Sequence, residues 1–372
     1  MPPVLAAIHR DLHLNESGVA LLTALPVLLL AVAAVPGSLL ISRIGARRAL
    51  IGGLFLVAAA GVLRVVGPST TVMLAMTFLM GLGISLIQPT FPTMVRQWFP
   101  SQIARATAVY ANGLLLGEII PTALTAALVL PLLGGSWQGS LVFWTLPVWL
   151  AAVLILLTTP HIQPDATAAR ARWWPEWRSG RLWLLGLIFG SASMLYWATN
   201  AFIPDYLKAT GRESLVAVSL ALVNLGQLPS SLLVGFLPRL IGRKSVFYAV
   251  GGGITVSVAG FLALPGAWIA VFSAAIGFCA GLVLVLALAL PAMLTDADDV
   301  HRLSAGMFTI TYTCSFTGPI VAGALWDVTH VPITAFLPAA LAGPLLLLLT
   351  ARLSLPGDEA VKLRSTPPSP AA

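Results

Sequence analysis

This sequence predicts an all-α membrane protein of twelve helices, built as two bundles of six, with the first helix incomplete. Three observations predict it. The chain of 372 residues is 58% hydrophobic and only 9% charged, against about 25% charged residues in a soluble domain. Eleven apolar runs are each long enough to cross a bilayer, which takes about 20 residues as a helix. One long polar interruption, at 158–181, leaves five of these runs before it and six after it.

The runs fall at 17–41, 49–66, 71–95, 105–128, 138–157, 182–204, 215–238, 245–264, 268–290, 303–325 and 332–350. Backbone polar groups find no water in hydrocarbon, so a spanning segment is a helix or part of a closed barrel. These runs are too long for barrel strands and lack their period-two alternation. Ahead of the first run, Pro2 to Ile8 is an apolar stub followed by His9, Arg10 and Asp11. Seven residues cannot span. A signal peptide carries its charges before the apolar stretch, not after it. The stub therefore reads as the last turns of a first helix that starts upstream, with His9 and Arg10 as anchors at the outer interface.

Basic residues give the orientation. Sixteen of the twenty Lys and Arg fall in alternate loops, among them Arg43, Arg47, Arg48, Arg239, Arg243 and Lys244; Arg10, Arg64, Lys208 and Arg212 fall on the other side. Basic loops stay cytoplasmic. The expected product is a multi-pass protein of the plasma (inner) membrane with a cytoplasmic C-terminus. Its parts are an N-terminal bundle (1–157), a linker (158–181), a C-terminal bundle (182–350) and a disordered tail (351–372). The linker stretch "RARWWPEWRSGR" mixes Trp173, Trp174 and Trp177 with four arginines. Tryptophan prefers the headgroup level and arginine the anionic inner leaflet, so the segment lies on the inner face or is a plain disordered connection.

A basic turn follows the second helix of each half: "GSLLISRIGARR" (Gly37 to Arg48) and "GFLPRLIGRK" (Gly235 to Lys244). Gly45 and Gly242 stand 197 positions apart. Duplicated halves are a recurring build for secondary transporters.

These turns resemble the signature Gly-x-x-x-Asp-Arg-x-Gly-Arg-Lys of the major facilitator superfamily. Gly235, Gly242, Arg243 and Lys244 match it in the second half, with Arg239 in place of the Asp. Arg43, Gly45 and Arg47 match in the first, with Ser38 at the first Gly and Ser42 at the Asp. In that family these are gating loops, and the acidic residue belongs to a charge network that latches the closed state; neither turn carries it. "LLTALPVLL", "GLGISLIQPTFPTMVRQWFP", "YANGLLLGEIIPTALT" and "LSAGMFTITYTCSFTGPIVAGALWD" are similar to the cyanate permease and 2-nitroimidazole transporter subgroup. The resemblance implies a major-facilitator-like twelve-helix fold and transport of a small solute by alternating access.

Glu118 stands about twelve residues into its run, roughly 18 Å at 1.5 Å per residue, near the middle of the layer. An ionisable group there is expensive and marks a functional position. It shares a helix face with Pro121, Thr122 and Thr125 and is expected to carry protons or touch solute, or to be a protonated packing residue. Arg64, at the outer end of its run, either snorkels to the headgroups or turns inward to fork an anion. Polar and aromatic residues at helical spacing supply a solute-binding set: Gln88, Asn112, Tyr196, Trp197, Asn200, Asn224, Gln227 and Tyr312, with Ser193, Ser231 and Thr309 nearby. In lipid such groups face protein or water. Gly113/Gly117, Gly186/Gly190 and Gly277/Gly281 have the spacing that lets helices approach.

Other classes are poorly served. The net charge of +7 forms no basic face, which argues against nucleic acid. Cys279 and Cys314 lack ligand spacing, and the acidic turn with Asp296, Asp298 and Asp299 lacks that of an EF-hand. No nucleophile, zincin or phosphate-loop motif occurs. No enzyme, cofactor or metal is expected. The partners are the bilayer and a small molecule, with the protein a monomer. The resemblance implies import of a small anion such as cyanate, which would use Arg64, with coupling to protons expected through Glu118. Alternatively the chain exports a drug or nitro-heterocycle held by Tyr196, Trp197 and Tyr312, or is a receptor or assembly subunit that does not transport.

Overall fold

The computed structural model describes residues 4–14, 16–67, 69–159 and 173–355. Most of the linker and the tail beyond Leu355, with Lys362 and Arg364, lie outside the described residues. The helices are α1 (Leu5–Asp11), α2 (Glu16–Val32), α3 (Ala34–Ile44), α4 (Ala46–Leu63), α5 (Thr70–Ile87), α6 (Thr90–Trp98), α7 (Ile103–Leu124), α8 (Leu130–Leu132), α9 (Trp137–Thr158), α10 (Gly180–Ala209), α11 (Val216–Leu225), α12 (Gln227–Phe236), α13 (Lys244–Ala263), α14 (Trp268–Leu294), α15 (Val300–Thr329) and α16 (Leu337–Arg352). A π-helical turn, Thr125–Val129, joins α7 to α8.

Every apolar run falls on helix. Among the described residues nine spans are long and apolar enough to cross a membrane, and the bent pair α2–α3 makes a tenth. The eleventh run is α15, whose 30 residues give about 45 Å but carry more hydroxyls. The breaks sit at prolines. Pro36, in the first turn of α3, lacks the N–H that would bond the Val32 carbonyl, and the chain bends by 52° there. Pro89 separates α5 from α6 in the same way. Leu5 to Ile8 of the stub lie in α1, with Ile8 fully buried against Leu22, Met73 and Leu141; the stub's Pro2 and Pro3 lie outside the described residues.

The chain forms two compact units: Met1–Pro100 with Gly113–Ser179 and Thr295–Thr313, and Ser101–Asn112 with Gly180–Leu294 and Cys314–Ala372. In the first, α4 packs on α5 and α9, and α2 on α5. In the second, α13 packs on α14 and α16, and α11 on α14. The third helix of each half thus meets the fourth and sixth, and the second meets the fourth, as duplication predicts. Tyr206, Phe261 and Phe336 close one end of the second unit with ring centroids 5.0–5.9 Å apart.

Small residues set the closest approaches. A Cβ on Gly277 would lie 2.0 Å from the Val223 carbonyl oxygen, and one on Gly281 would lie 2.9 Å from Gln227 Cα. The Gly277/Gly281 pair is therefore the surface on which α14 receives α11 and α12. Gly113 and Gly117 face open space, so the same spacing there packs nothing.

Gly277→Ala should lower the thermal midpoint of the detergent-solubilised protein, at a cost of roughly 1–3 kcal/mol from overpacking. Gly113→Ala should leave it unchanged or raise it, because alanine favours a helix over glycine by about 1 kcal/mol. Equal losses in both variants would contradict this packing.

Candidate functional site

The two basic turns are built alike. Gly45 ends α3 at φ 83° and ψ 155°, a region that is essentially glycine-only. Gly242 has φ 94°. Two residues after each glycine a cation reaches a neighbouring helix end. Arg47 Nε donates to Thr159 Oγ1 (2.8 Å) and Nη2 to the Leu156 carbonyl (2.7 Å), at the C-terminus of α9. Lys244 Nζ donates to the Ala351 carbonyl (3.2 Å), at the C-terminus of α16. A cation there meets the last unpaired carbonyls and the negative end of the helix dipole. Arg43 lies in the last turn of α3, and Arg243 precedes α13 as its N-cap. Gly235 sits within α12, and a Cβ there would meet only Ala108, at 3.9 Å.

Ser38, at the position of the signature's first glycine, is fully buried. Its Oγ donates to the Trp173 carbonyl (2.7 Å) and lies 2.7 Å from His301 Nδ1. The one hydroxyl proton is committed to Trp173, so the imidazole donates through Nδ1–H. Neither Trp173 nor His301 was singled out by the sequence as a partner of the basic turn, because 135 and 263 residues separate them from Ser38.

In the second unit three of the expected solute-binding residues come together. Tyr196 on α10 donates its hydroxyl to Asn224 Oδ1 on α11 (2.7 Å). Asn224 Nδ2 donates to Asn200 Oδ1 (3.0 Å) and to the Leu220 carbonyl (2.8 Å). Asn200 Nδ2 donates to the Tyr196 carbonyl (2.9 Å). The Trp197 ring stands edge-on to Tyr196 at 5.6 Å. Close by in the same unit, Ser231 donates to Asn112 Oδ1 (2.6 Å) and Ser193 pairs with Ser315 (2.6 Å). Gln227 is buried beside Gly281.

In the first unit Gln88 Nε2 donates to the Tyr312 hydroxyl (3.0 Å), and Tyr312 stacks on Phe308. Glu118 is exposed on α7, near the middle of the 30-residue span Ile103–Leu132. Its carbonyl accepts from Thr122 Oγ1 (2.7 Å).

Arg64 turns inward. It follows the last residue of α4 and is 5% exposed. Together with Thr122, Thr125, Ser140, Trp144 and Thr145 it lines a cavity of about 210 Å³. Trp144 Nε1 donates to Thr125 Oγ1 (2.8 Å), in the π-helical turn that follows Pro121. A π-turn inside an α-helix frequently marks a functional site. Ser140 and Trp144 escaped the sequence reading. Their i, i+4 spacing within the apolar run at 138–157 was the available signal.

Comparison with known proteins follows the same lines. A family model described as the Major Facilitator Superfamily matches residues 1–267. An uncharacterized transporter of Bacillus subtilis (strain 168), YycB, is 25% identical over 88% of this chain and 82% of its own length. The cyanate transport protein CynX of Escherichia coli (strain K12) is 27% identical over 71% of this chain and 68% of its own. The 2-nitroimidazole transporter of the same strain is 27% identical over 87% and 83%. Among solved structures, FucP in the outward conformation aligns with a TM-score of 0.71 at 15% identity, covering 94% of this chain and 95% of FucP. The proton:xylose symporter XylE aligns with the same score at 14% identity, covering 97% and 94%. The chain is a multi-pass membrane transporter of small solutes and belongs to the Major Facilitator Superfamily.

Proposed function

We propose that this protein carries a small anion, of the size and charge of cyanate, across the plasma membrane by alternating access and in company with protons. The observation that carries the reading is the Tyr196–Asn224–Asn200 network. Two amides and a phenol, half-buried in an otherwise apolar bundle, are expensive unless they meet polar partners. They bond one another, and they supply donors and acceptors to a solute that replaces those bonds. Trp197, Asn112 and Gln227 complete the solute-binding set of the second unit, and Gln88 and Tyr312 are the solute-binding pair of the first. Arg64 favours an anion over a neutral solute. One relative in the subgroup is named for cyanate.

Glu118 is the proton carrier in this reading. It is an acid placed half-way along its span, and a carboxylate that alternates between charged and neutral forms links solute movement to protons. The turns with Arg43, Gly45 and Arg47, and with Gly235, Gly242, Arg243 and Lys244, act as cytoplasmic gating loops. They connect helices within an N-terminal bundle (1–157) and a C-terminal bundle (182–350) joined by the inner-face linker 158–181. The C-terminus is cytoplasmic, and the protein works as a monomer without cofactor or nucleic acid. A second reading, export of a nitro-heterocycle, is favoured by the edge-on Tyr196–Trp197 pair, since aromatic side chains suit a flat ring.

Uptake of labelled cyanate and of 2-nitroimidazole into proteoliposomes under an imposed pH gradient tests both readings. Glu118→Gln is expected to abolish gradient-driven uptake while leaving solute exchange intact; unchanged driven uptake would remove Glu118 from the mechanism. Asn224→Ala leaves the Tyr196 hydroxyl and the Asn200 carbonyl oxygen without their partner, at about 1–3 kcal/mol. KM should rise about tenfold or more. An unaltered KM would place the solute elsewhere.

A further inference from the structure

The Arg64 side chain is buried, and two of its three guanidinium nitrogens meet no acceptor among the described residues. These two, Nε and Nη1, are sealed from water. Arginine stays protonated in proteins, so the charge cannot be shed. An unpaired buried charge is destabilising by several kcal/mol. Ser140, fully buried on the same cavity wall, has an Oγ in the same condition. These two orphaned polar groups come from different helices, α4 and α9, and border one space.

The remaining polar groups on the wall are already engaged. Thr122 donates to the Glu118 carbonyl, Thr125 to the Pro121 carbonyl, and Thr145 to the Val142 carbonyl. The Trp144 N–H goes to Thr125. No carboxylate is among the lining residues. The cavity thus holds one uncompensated positive charge and one spare hydroxyl, enclosed otherwise by Val57, Met80 and Val148. At about 210 Å³ it falls below the 300–1,000 Å³ of sites for drug-sized ligands. The helix ends locate it: Arg64 closes α4, Ser140 is the fourth residue of α9, and Thr125 follows α7. All three ends lie away from the Gly45 turn, at which α4 begins.

We infer that this cavity is a binding site for a small monovalent anion of about three or four heavy atoms. Arg64 supplies the charge and the forked donors, and Ser140 supplies a hydroxyl. The inference deepens the small-anion reading above and rests on it for the identity of the solute. It names a site separate from the Tyr196–Asn224–Asn200 network. One bound charge offsets one buried charge, which sets the valence.

Titration of the purified full-length protein with azide, nitrate and sulfate at constant ionic strength, read by calorimetry and thermal shift, tests this. Azide and nitrate are expected to bind saturably and raise the melting temperature, and the dianion sulfate, which leaves one buried negative charge over, to do neither. Arg64→Gln should weaken azide binding at least tenfold and remove the thermal shift. Its anion-free melting temperature should equal or exceed that of the parent, because the unpaired charge is gone. Ser140→Leu keeps the charge but fills the space and should abolish binding, so the test survives failure of either variant to fold. Azide binding unchanged in Arg64→Gln or Ser140→Leu, or sulfate bound as tightly as azide, would overturn the site. Transport separates the two claims. Azide bound through Arg64 with no anion uptake keeps the site and sinks the small-anion substrate. Anion uptake together with azide binding unchanged in Arg64→Gln keeps the substrate and sinks the site.

Discussion

The structure depends on one constraint: inside hydrocarbon, every polar group must find its partner within the protein. The backbone meets it by forming helix throughout the spanning segments. Side chains meet it locally. Thr93, Thr125, Thr199 and Thr313 return their hydroxyls to carbonyls four residues back, and Ser38, Gln88 and Asn224 reach across between helices. Among the described residues a few buried groups are left over, among them the hydroxyls of Thr77, Thr107, Ser219, Ser304 and Thr309 and Nη1 of Arg212. Arg64 and Ser140 stand out because their neighbours on the cavity wall are already bonded.

The same constraint explains what duplication preserved. The last carbonyls of a helix have no intrahelical donor. Arg47 supplies donors to the end of α9 and Lys244 to the end of α16, from equivalent positions in the two turns. The glycine two residues earlier lets the chain reverse with positive φ and aims the cation. The turns do not carry the acidic residue of the superfamily signature. In the first, Ser38 at the position of the leading glycine bonds the Trp173 carbonyl and His301. A hydroxyl at that position is a specific hydrogen-bonding group, which glycine is not.

Much of the fold was legible because hydropathy acts locally. The runs gave the helices, but the breaks at Pro36 and Pro89 lay unread within the runs 17–41 and 71–95. The turn glycines gave the duplicated reversals, and the stripe Tyr196, Asn200 and Asn224 gave the polar network. Partner choice was not legible. Three glycine pairs had the same spacing, yet Gly277/Gly281 receives a helix and Gly113/Gly117 faces open space, a difference fixed by packing rather than by sequence. Arg64 had two readings of equal standing, and burial at the end of α4 chose the inward one. Ser140 and Trp144 were hidden in an apolar run because two polar groups among twenty residues make no signal until α4 and α7 are placed beside them.

The account holds that polar faces within the helices meet water while exposed apolar faces meet lipid. Single cysteines on a background with Cys279 and Cys314 replaced by serine test this directly. They would be placed at Asn200 and Asn224, and at Val256 and Leu348, whose side chains are 63% and 70% exposed. Membrane-impermeant maleimide would then be applied to proteoliposomes of mixed orientation. Labelling at 200 and 224, with none at 256 and 348, is the predicted result. Labelling at 256 and 348 with protection at 200 and 224 would contradict it.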